Sequence, residues 1–196
     1  GRPEKRDVYL FTLQDQVDLL QRLTEDILDL SRLELPFDDQ SQETVELNHL
    51  VSQVYATLEP RAEAAGLSVS LQLDPTLPVI SADPDRLVQV INNLLSNAIN
   101  YTPAAGLVRV ATKHLDDGVC LQVEDNGMGI SAKDMPHIFD RFYRSNRVSQ
   151  SNIRGTGLGL AIVHEIVQQY QGRIEVKSEE GVGSTFCVWL PMWPGR

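Results

Sequence analysis

The stretch RGTGLGLAIVHEI, from Arg154 to Ile166, alternates Gly155, Gly157 and Gly159 with Thr156 and Leu158 and then runs into an apolar-periodic helix. A Gly-x-Gly-x-x-Gly turn fails at its last glycine, and a polar loop rather than a strand precedes the cluster. No Gly-Lys-Ser/Thr follows, so neither a dinucleotide fingerprint nor a P-loop is supported. What remains is a glycine-lined helix N-terminus. Its free N–H groups and positive dipole end suit an anion such as phosphate. On this segment alone the alternative is a helix that merely starts at a flexible loop.

Two further stretches carry matching chemistry. In NNLLSNA, Asn93 and Asn97 lie four apart on one helical face. Asparagine is a poor helix former, and its carbonyl is a good ligand for a hard cation such as Mg²⁺, which takes one or two protein oxygens plus phosphates and water. The plainer reading is two ordinary helix-surface amides. In EDNGMGI, Asp125, Gly127 and Gly129 stand at a strand end. The glycines admit a ligand close to the backbone and the carboxylate accepts from an amino group, although such a turn is common by itself.

The elements that must position these residues are legible from periodicity. From Asp7 to Leu33, Leu10, Leu13, Val17, Leu20, Leu23, Ile27 and Leu30 recur at three- and four-residue steps, an apolar stripe suited to a helix bundle. Its face must meet another chain, a further segment or the following domain. Pro36 and the polar residues after it form a linker. The chain thus divides into residues 1–35, a linker at 36–44 and a domain at 45–193. In that domain Asn48 is the expected N-cap of a helix stopped by Gly66, and LSVSLQL alternates as a strand. Asp83 and Pro84 start a helix running toward Tyr101. LVRVATKHL and GVCLQVEDN read as a hairpin, MPHIFDRFYR as a short helix, and RIEVKSEEGVGSTFCVWLP as two closing strands. Mixed helices and hairpin-joined strands predict an α/β two-layer sandwich.

Composition limits the partners. The 196 residues are 42% hydrophobic and carry a net charge of −10. An acidic surface argues against nucleic-acid binding and against docking on anionic membranes. Cys120 and Cys187 are far apart, without a Cys-x-x-Cys, and are expected to be two reduced thiols. No apolar run spans a bilayer. A chain opening on Gly1 reads as a fragment of something longer, with a membrane anchor elsewhere left open.

In order along the chain, NNLLSNA, DNGMG, FDRF and GTGLG resemble the N box, the first glycine box, the F box and the second glycine box of sensor histidine kinases. These belong to the ATP-binding group shared with gyrase B, Hsp90 and MutL. LTEDILDLSRLE is similar to the second helix of that family's dimerisation and phosphotransfer hairpin. The resemblance implies that Asp125 accepts from the adenine amino group, that Gly127 and Gly129 leave room for the base, and that Thr185 and Tyr101 add contacts. Asn97 would bind Mg²⁺ with Asn93 in support. Arg144 would reach the γ-phosphate, with Arg141 and Arg154 as weaker candidates. Gly155, Thr156, Gly157, Leu158 and Gly159 would bind the phosphates beneath a lid from about Ser145 to Arg154, which Phe139 and Phe142 pack.

Two departures stand out. Asn100 occupies a position that is often Lys or Arg in the family, leaving Arg144 or Lys133 to neutralise phosphate. None of His49, His114, His137 and His164 has the sequence context of a phosphoacceptor. The implied activity is transfer of the ATP γ-phosphate to a histidine outside this chain, then to a response-regulator receiver domain, in a full-length homodimer. The alternatives are a non-enzymatic ATP-sensing module and a gyrase- or Hsp90-type ATPase, in which a Glu resembles the position held here by Asn93.

Overall fold

Asp83 and Pro84 start the central helix as their types dictate. Asp83 Oδ1 accepts from the amides of Asp85 and Arg86 at 2.9 and 3.4 Å, and Pro84 opens helix α3 (Pro84–Tyr101) where no N–H is needed. The computed structural model describes residues 3–33, 42–145, 148, 153 and 155–192. Leu87, Val90, Ile91, Leu94, Leu95 and Ala98 form the buried face of α3, leaving Asn93 and Asn97 off that face.

Helices α2 (Leu47–Ala64), α3 and α4 (Gly159–Gln169) make one layer. The other is a five-stranded sheet of β2 (Ser68–Gln72), β4 (Leu107–Leu115), β5 (Gly118–Asp125), β7 (Gly183–Pro191) and β6 (Arg173–Glu179), in that spatial order. Only the β2–β4 pair is parallel. The two-layer α/β sandwich is as expected. Along β5 and β7 the side-chain period of two sends Val119, Leu121, Val123, Phe186, Val188 and Leu190 into the core beneath the helices. The alternate residues line the opposite face, where Arg109 pairs with Glu124 at 3.1 Å and the Arg173 guanidinium lies 4.6 Å from the Trp189 ring centroid.

Several expectations are corrected. Cys120 and Cys187 are joined as a disulfide, not held as separate thiols. In the β5–β7 register Cys120 lies opposite Trp189 and Cys187 opposite Gln122, so the two cysteines are diagonal neighbours on the outer face, with Cα atoms 6.3 Å apart. Asn48 is not an N-cap: Glu46 precedes α2 without a side-chain cap bond. Instead Asn48 Nδ2 donates to the Asp74 carbonyl at 2.7 Å, and its Oδ1 accepts from the buried Thr112 hydroxyl at 2.7 Å. Strand β1 (Glu43–Val45), not expected from the sequence, pairs antiparallel with β3 (Ile80–Ala82), a short ribbon with little periodicity to read. Residues 34–41 of the linker lie outside the described residues. In place of a helix over MPHIFDRFYR there is one 3₁₀ turn, Met135–His137, because Phe142 takes φ +64° and its amide bonds to Gly157 O at 2.9 Å.

Helix α1 (Pro3–Leu33) divides along its length. Leu30 and Leu33 are buried, Gln89 Nε2 donates to Asp29 Oδ2 at 2.6 Å, and Gln169 Nε2 donates to the Leu33 carbonyl at 2.7 Å. Further toward its start, Leu13, Val17 and Leu20 are about 60% exposed, an apolar stripe that no described residue covers. No described helix is long and apolar enough to cross a membrane.

Candidate functional site

A cavity of about 790 Å³ opens between α3, the C-terminal end of β5 and the glycine loop that leads into α4. That is the size of a pocket for a small organic ligand. Asn93, Asn97 and Tyr101 line it from α3; Asp125 and Gly129 from the end of β5 and the turn after it; Arg144 from the segment after the 3₁₀ turn. Gly155, Thr156, Gly157 and Gly159 close the remaining side. Three of the four sequence boxes and the end of the F-box segment thus meet at one cavity although they span more than sixty residues.

Asp125 is 9% exposed. Its Oδ1 accepts the Gly127 amide at 2.8 Å, which fixes the carboxylate's orientation. Burial pushes its pKa up, opposed by backbone N–H bonds from Gly127 and Ser184. A desolvated, oriented carboxylate at the end of a cavity is a strong acceptor for an amino group. The Tyr101 phenol is also pushed up by burial, with Arg144 acting against the shift. Arg144 Nη2 donates to the Ile153 carbonyl at 2.5 Å, and its Nε is buried with no hydrogen-bond partner among the described residues.

The glycines serve separate ends. A Cβ on Gly159 would stand 2.9 Å from Asn93 Oδ1, so its absence lets that amide sit against the start of α4. Gly157 takes φ +75° with Phe142 backbone atoms within 3.0 Å of where its Cβ would be, which joins the loop to the F-box segment. Leu158 precedes helix α4 without a side-chain cap bond, and the helix's first residues, Gly159 and Leu160, line the cavity.

Three expected contacts do not line the cavity. Thr185 lies on the outer sheet face opposite Glu124, and Ser184, opposite Asp125 in the register, lines the cavity in its place. Leu158 is fully buried in the core beneath α4. Gly127 does not leave room for a ligand; its Cβ would fall 2.4 Å from the Tyr101 carbonyl, so it leaves room for the end of α3. Arg154 lies outside the described residues, as does most of the expected lid. Arg141 is drawn away to Glu165 at 3.8 Å, and the Phe139 ring packs against His164 with centroids 5.2 Å apart. Sequence reading missed Arg61, Asn92 and Ser184, which also line the cavity.

No group of three His, Cys, Asp or Glu suited to a metal occurs among the described residues. The donor set is instead two carboxamides, hard oxygen ligands compatible with a magnesium ion that keeps water and phosphate in its shell.

An α/β sandwich whose helix layer, strand end and uncapped glycine loop enclose one cavity defines a nucleotide-binding catalytic domain. Residues 82–194 match the family described as histidine kinase-, DNA gyrase B-, and HSP90-like ATPase. The chain belongs to that family, and within it to the catalytic ATP-binding domains of sensor histidine kinases. It is 35% identical over 190 residues to the circadian input-output histidine kinase CikA of Synechococcus elongatus, covering 96% of this chain and 25% of that protein. It is 36% identical over 177 residues to the sensor histidine kinase ZraS of Escherichia coli, covering 90% of this chain and 36% of that one. The solved structure of full-length ShkA in complex with AMPPNP superposes with a TM-score of 0.81 at 31% identity, over 97% of this chain and 39% of that one. The histidine kinase AdeS of Acinetobacter baumannii gives 0.76 at 30% identity, over 95% of this chain and 85% of that one. The chain therefore spans about a quarter to a third of the curated relatives' length.

Proposed function

We propose that this domain binds ATP with Mg²⁺ and, as the cytoplasmic part of a longer protein, transfers the γ-phosphoryl group to a histidine. That histidine belongs to the other helix of the hairpin that α1 would complete, and the phosphate then passes to an aspartate of a response-regulator receiver domain. The observation that carries the reading is that the cavity presents two carboxamides, Asn93 and Asn97, from α3, where hydrolysis of ATP would call for a carboxylate base. An amide cannot take a proton from water, whereas a neutral imidazole attacks phosphorus without prior activation. Catalysis then rests on positioning and charge.

In this reading Asp125 accepts from the adenine amino group and so favours adenine over guanine. Tyr101, Gly129 and Ser184 line the cavity with it. A magnesium ion bound with the nucleotide would spread the phosphate charge, with Asn97 as its protein ligand and Asn93 in support. The amides at the start of α4 face the phosphates, and Arg144 neutralises charge at the terminal one. As the β–γ bridging P–O bond breaks and the N–P bond forms, ADP departs with the electron pair of the broken bond. The exposed Leu13, Val17 and Leu20 support pairing of α1 with other helices in a homodimer.

Calorimetric titration of this chain with ATP, with and without Mg²⁺ and beside Asp125→Asn, tests the site. Magnesium-assisted binding that the variant loses is expected, and absence of binding by the wild type would overturn the reading. Label from γ-labelled ATP appearing on a histidine once the hairpin is complete tests the transfer.

A further inference from the structure

A bound polyphosphate needs nearby positive charge, and among the described residues of this cavity acidic side chains outnumber basic ones. Its lining includes the carboxylates of Glu25, Asp26, Asp125, Asp134 and Glu180 against the cations Arg61, Lys133 and Arg144. Helix α3 brings no basic residue in its last turn.

Helix α2 supplies one. The ends of α2 and α3 lie together, with the Ala105 amide bonded to the Gly66 carbonyl at 2.8 Å. Arg61, in the last turn of α2, projects across to α3, where its Nη2 donates to Asn100 Oδ1. Asn100 stands one turn beyond Asn97, so the guanidinium is held at the cavity rim next to the face that carries the two carboxamides. A guanidinium carries five donors in a planar fork, and the bond to the Asn100 carboxamide oxygen fixes that plane at the cavity lining.

We propose that Arg61 is a further nucleotide-binding residue, which contacts the phosphate chain of bound ADP or ATP and is positioned by Asn100. The inference rests on the reading of this cavity as the ATP site. It makes Asn100 an anchor for a cation supplied by the neighbouring helix.

The test compares wild type, Arg61→Ala and the charge-relocated double variant Arg61→Ala/Asn100→Lys by calorimetric titration with ATP, ADP and adenosine. Removing a charge-assisted contact is expected to weaken ATP and ADP about tenfold in Arg61→Ala. Adenosine, which has no phosphate, should bind as before, and this also reports that the variant is folded. The double variant should recover most of the ATP affinity. ATP binding unchanged in Arg61→Ala overturns the proposal while leaving the site intact, as does equal weakening of adenosine and ATP. A wild type that binds no adenine nucleotide overturns the site reading and this inference together.

Discussion

Thr156 Oγ1 donates to Asp26 Oδ2 at 2.6 Å, tying the glycine loop to α1 across 130 residues of chain. The contact places a carboxylate at the cavity wall beside the uncapped start of α4, where an anionic ligand would gain most from the helix dipole. A phosphate arriving there meets a like charge. Asp26→Asn is therefore expected to tighten ATP binding about two- to fivefold, the range of a single charge near a helix end, with adenosine unaffected. Weaker ATP binding in Asp26→Asn, confined to solutions containing Mg²⁺, would instead place Asp26 with the cation ligands.

Asp125 links binding to pH. Burial raises its carboxyl above the ordinary 3.8, and the ionised form is the stronger acceptor for an amino group. ATP affinity should thus fall with acidification beginning at higher pH than an ordinary aspartate titrates. The sign for folding is opposite. A raised pKa means the protonated form stabilises the fold below the unfolded value, and that contribution is lost as pH rises through the folded one. Asp125→Asn is expected to melt no lower than wild type at neutral pH, since Asn can still accept the Gly127 amide, while binding ATP about ten- to a hundredfold more weakly. Thermal melts and titrations at neutral and mildly acid pH check both signs.

Gly159 separates stability from metal binding in a similar way. In the first turn of a helix alanine is favoured over glycine by about 0.5–1 kcal/mol. Its Cβ would nevertheless press on Asn93 Oδ1 from 2.9 Å, and the side chain that must move is the amide assigned to the magnesium site. Gly159→Ala is expected to leave the melting temperature unchanged or slightly higher and to diminish the Mg²⁺ enhancement of ATP binding. An undiminished enhancement would remove Asn93 from that role.

The order of elements was legible because each left a periodic or capping signal: the Asp83–Pro84 start of α3, the alternation of β5 and β7, the stripe of α1. The site was legible as a set of motifs but not in its fine register. Thr185 and Ser184 differ only in which sheet face they present, which follows from the pairing of Asp125 with Ser184 and not from the tripeptide GST. Leu158 sits among the loop glycines in sequence yet points into the core. Arg61 carries no motif, because its nearness to Asn100 arises from the packing of two helices separated in sequence by the strands β2 and β3. The cysteine pairing likewise depends on strand register across 67 residues.

Leu158 and Thr185 give a paired test of that register. Leu158 is wholly buried, so Leu158→Ala should cost about 2–5 kcal/mol of stability, read as a lowered denaturation midpoint. Thr185→Ala, on the outer face, should leave ATP affinity within error of wild type. A Thr185→Ala variant that loses ATP affinity with an unaltered midpoint would return Thr185 to the site.

Asn93 bears on which reaction the cavity supports. A carboxylate at this position would face the cavity from α3 beside Asn97 and the start of α4, where it could orient and deprotonate a water aimed at the terminal phosphate. General-base assistance contributes about 10²–10⁴ in favourable geometry, so even an imperfectly placed base should be visible. Asn93→Glu is expected to raise phosphate release at saturating ATP by about tenfold or more, and to lower phosphotransfer to histidine in the longer protein through loss of the amide. Phosphate release that stays at the wild-type level in a variant still binding ATP would mean that the residue at position 93 does not choose between transfer and hydrolysis. The choice would then lie with whatever excludes water when the phosphoacceptor helix docks.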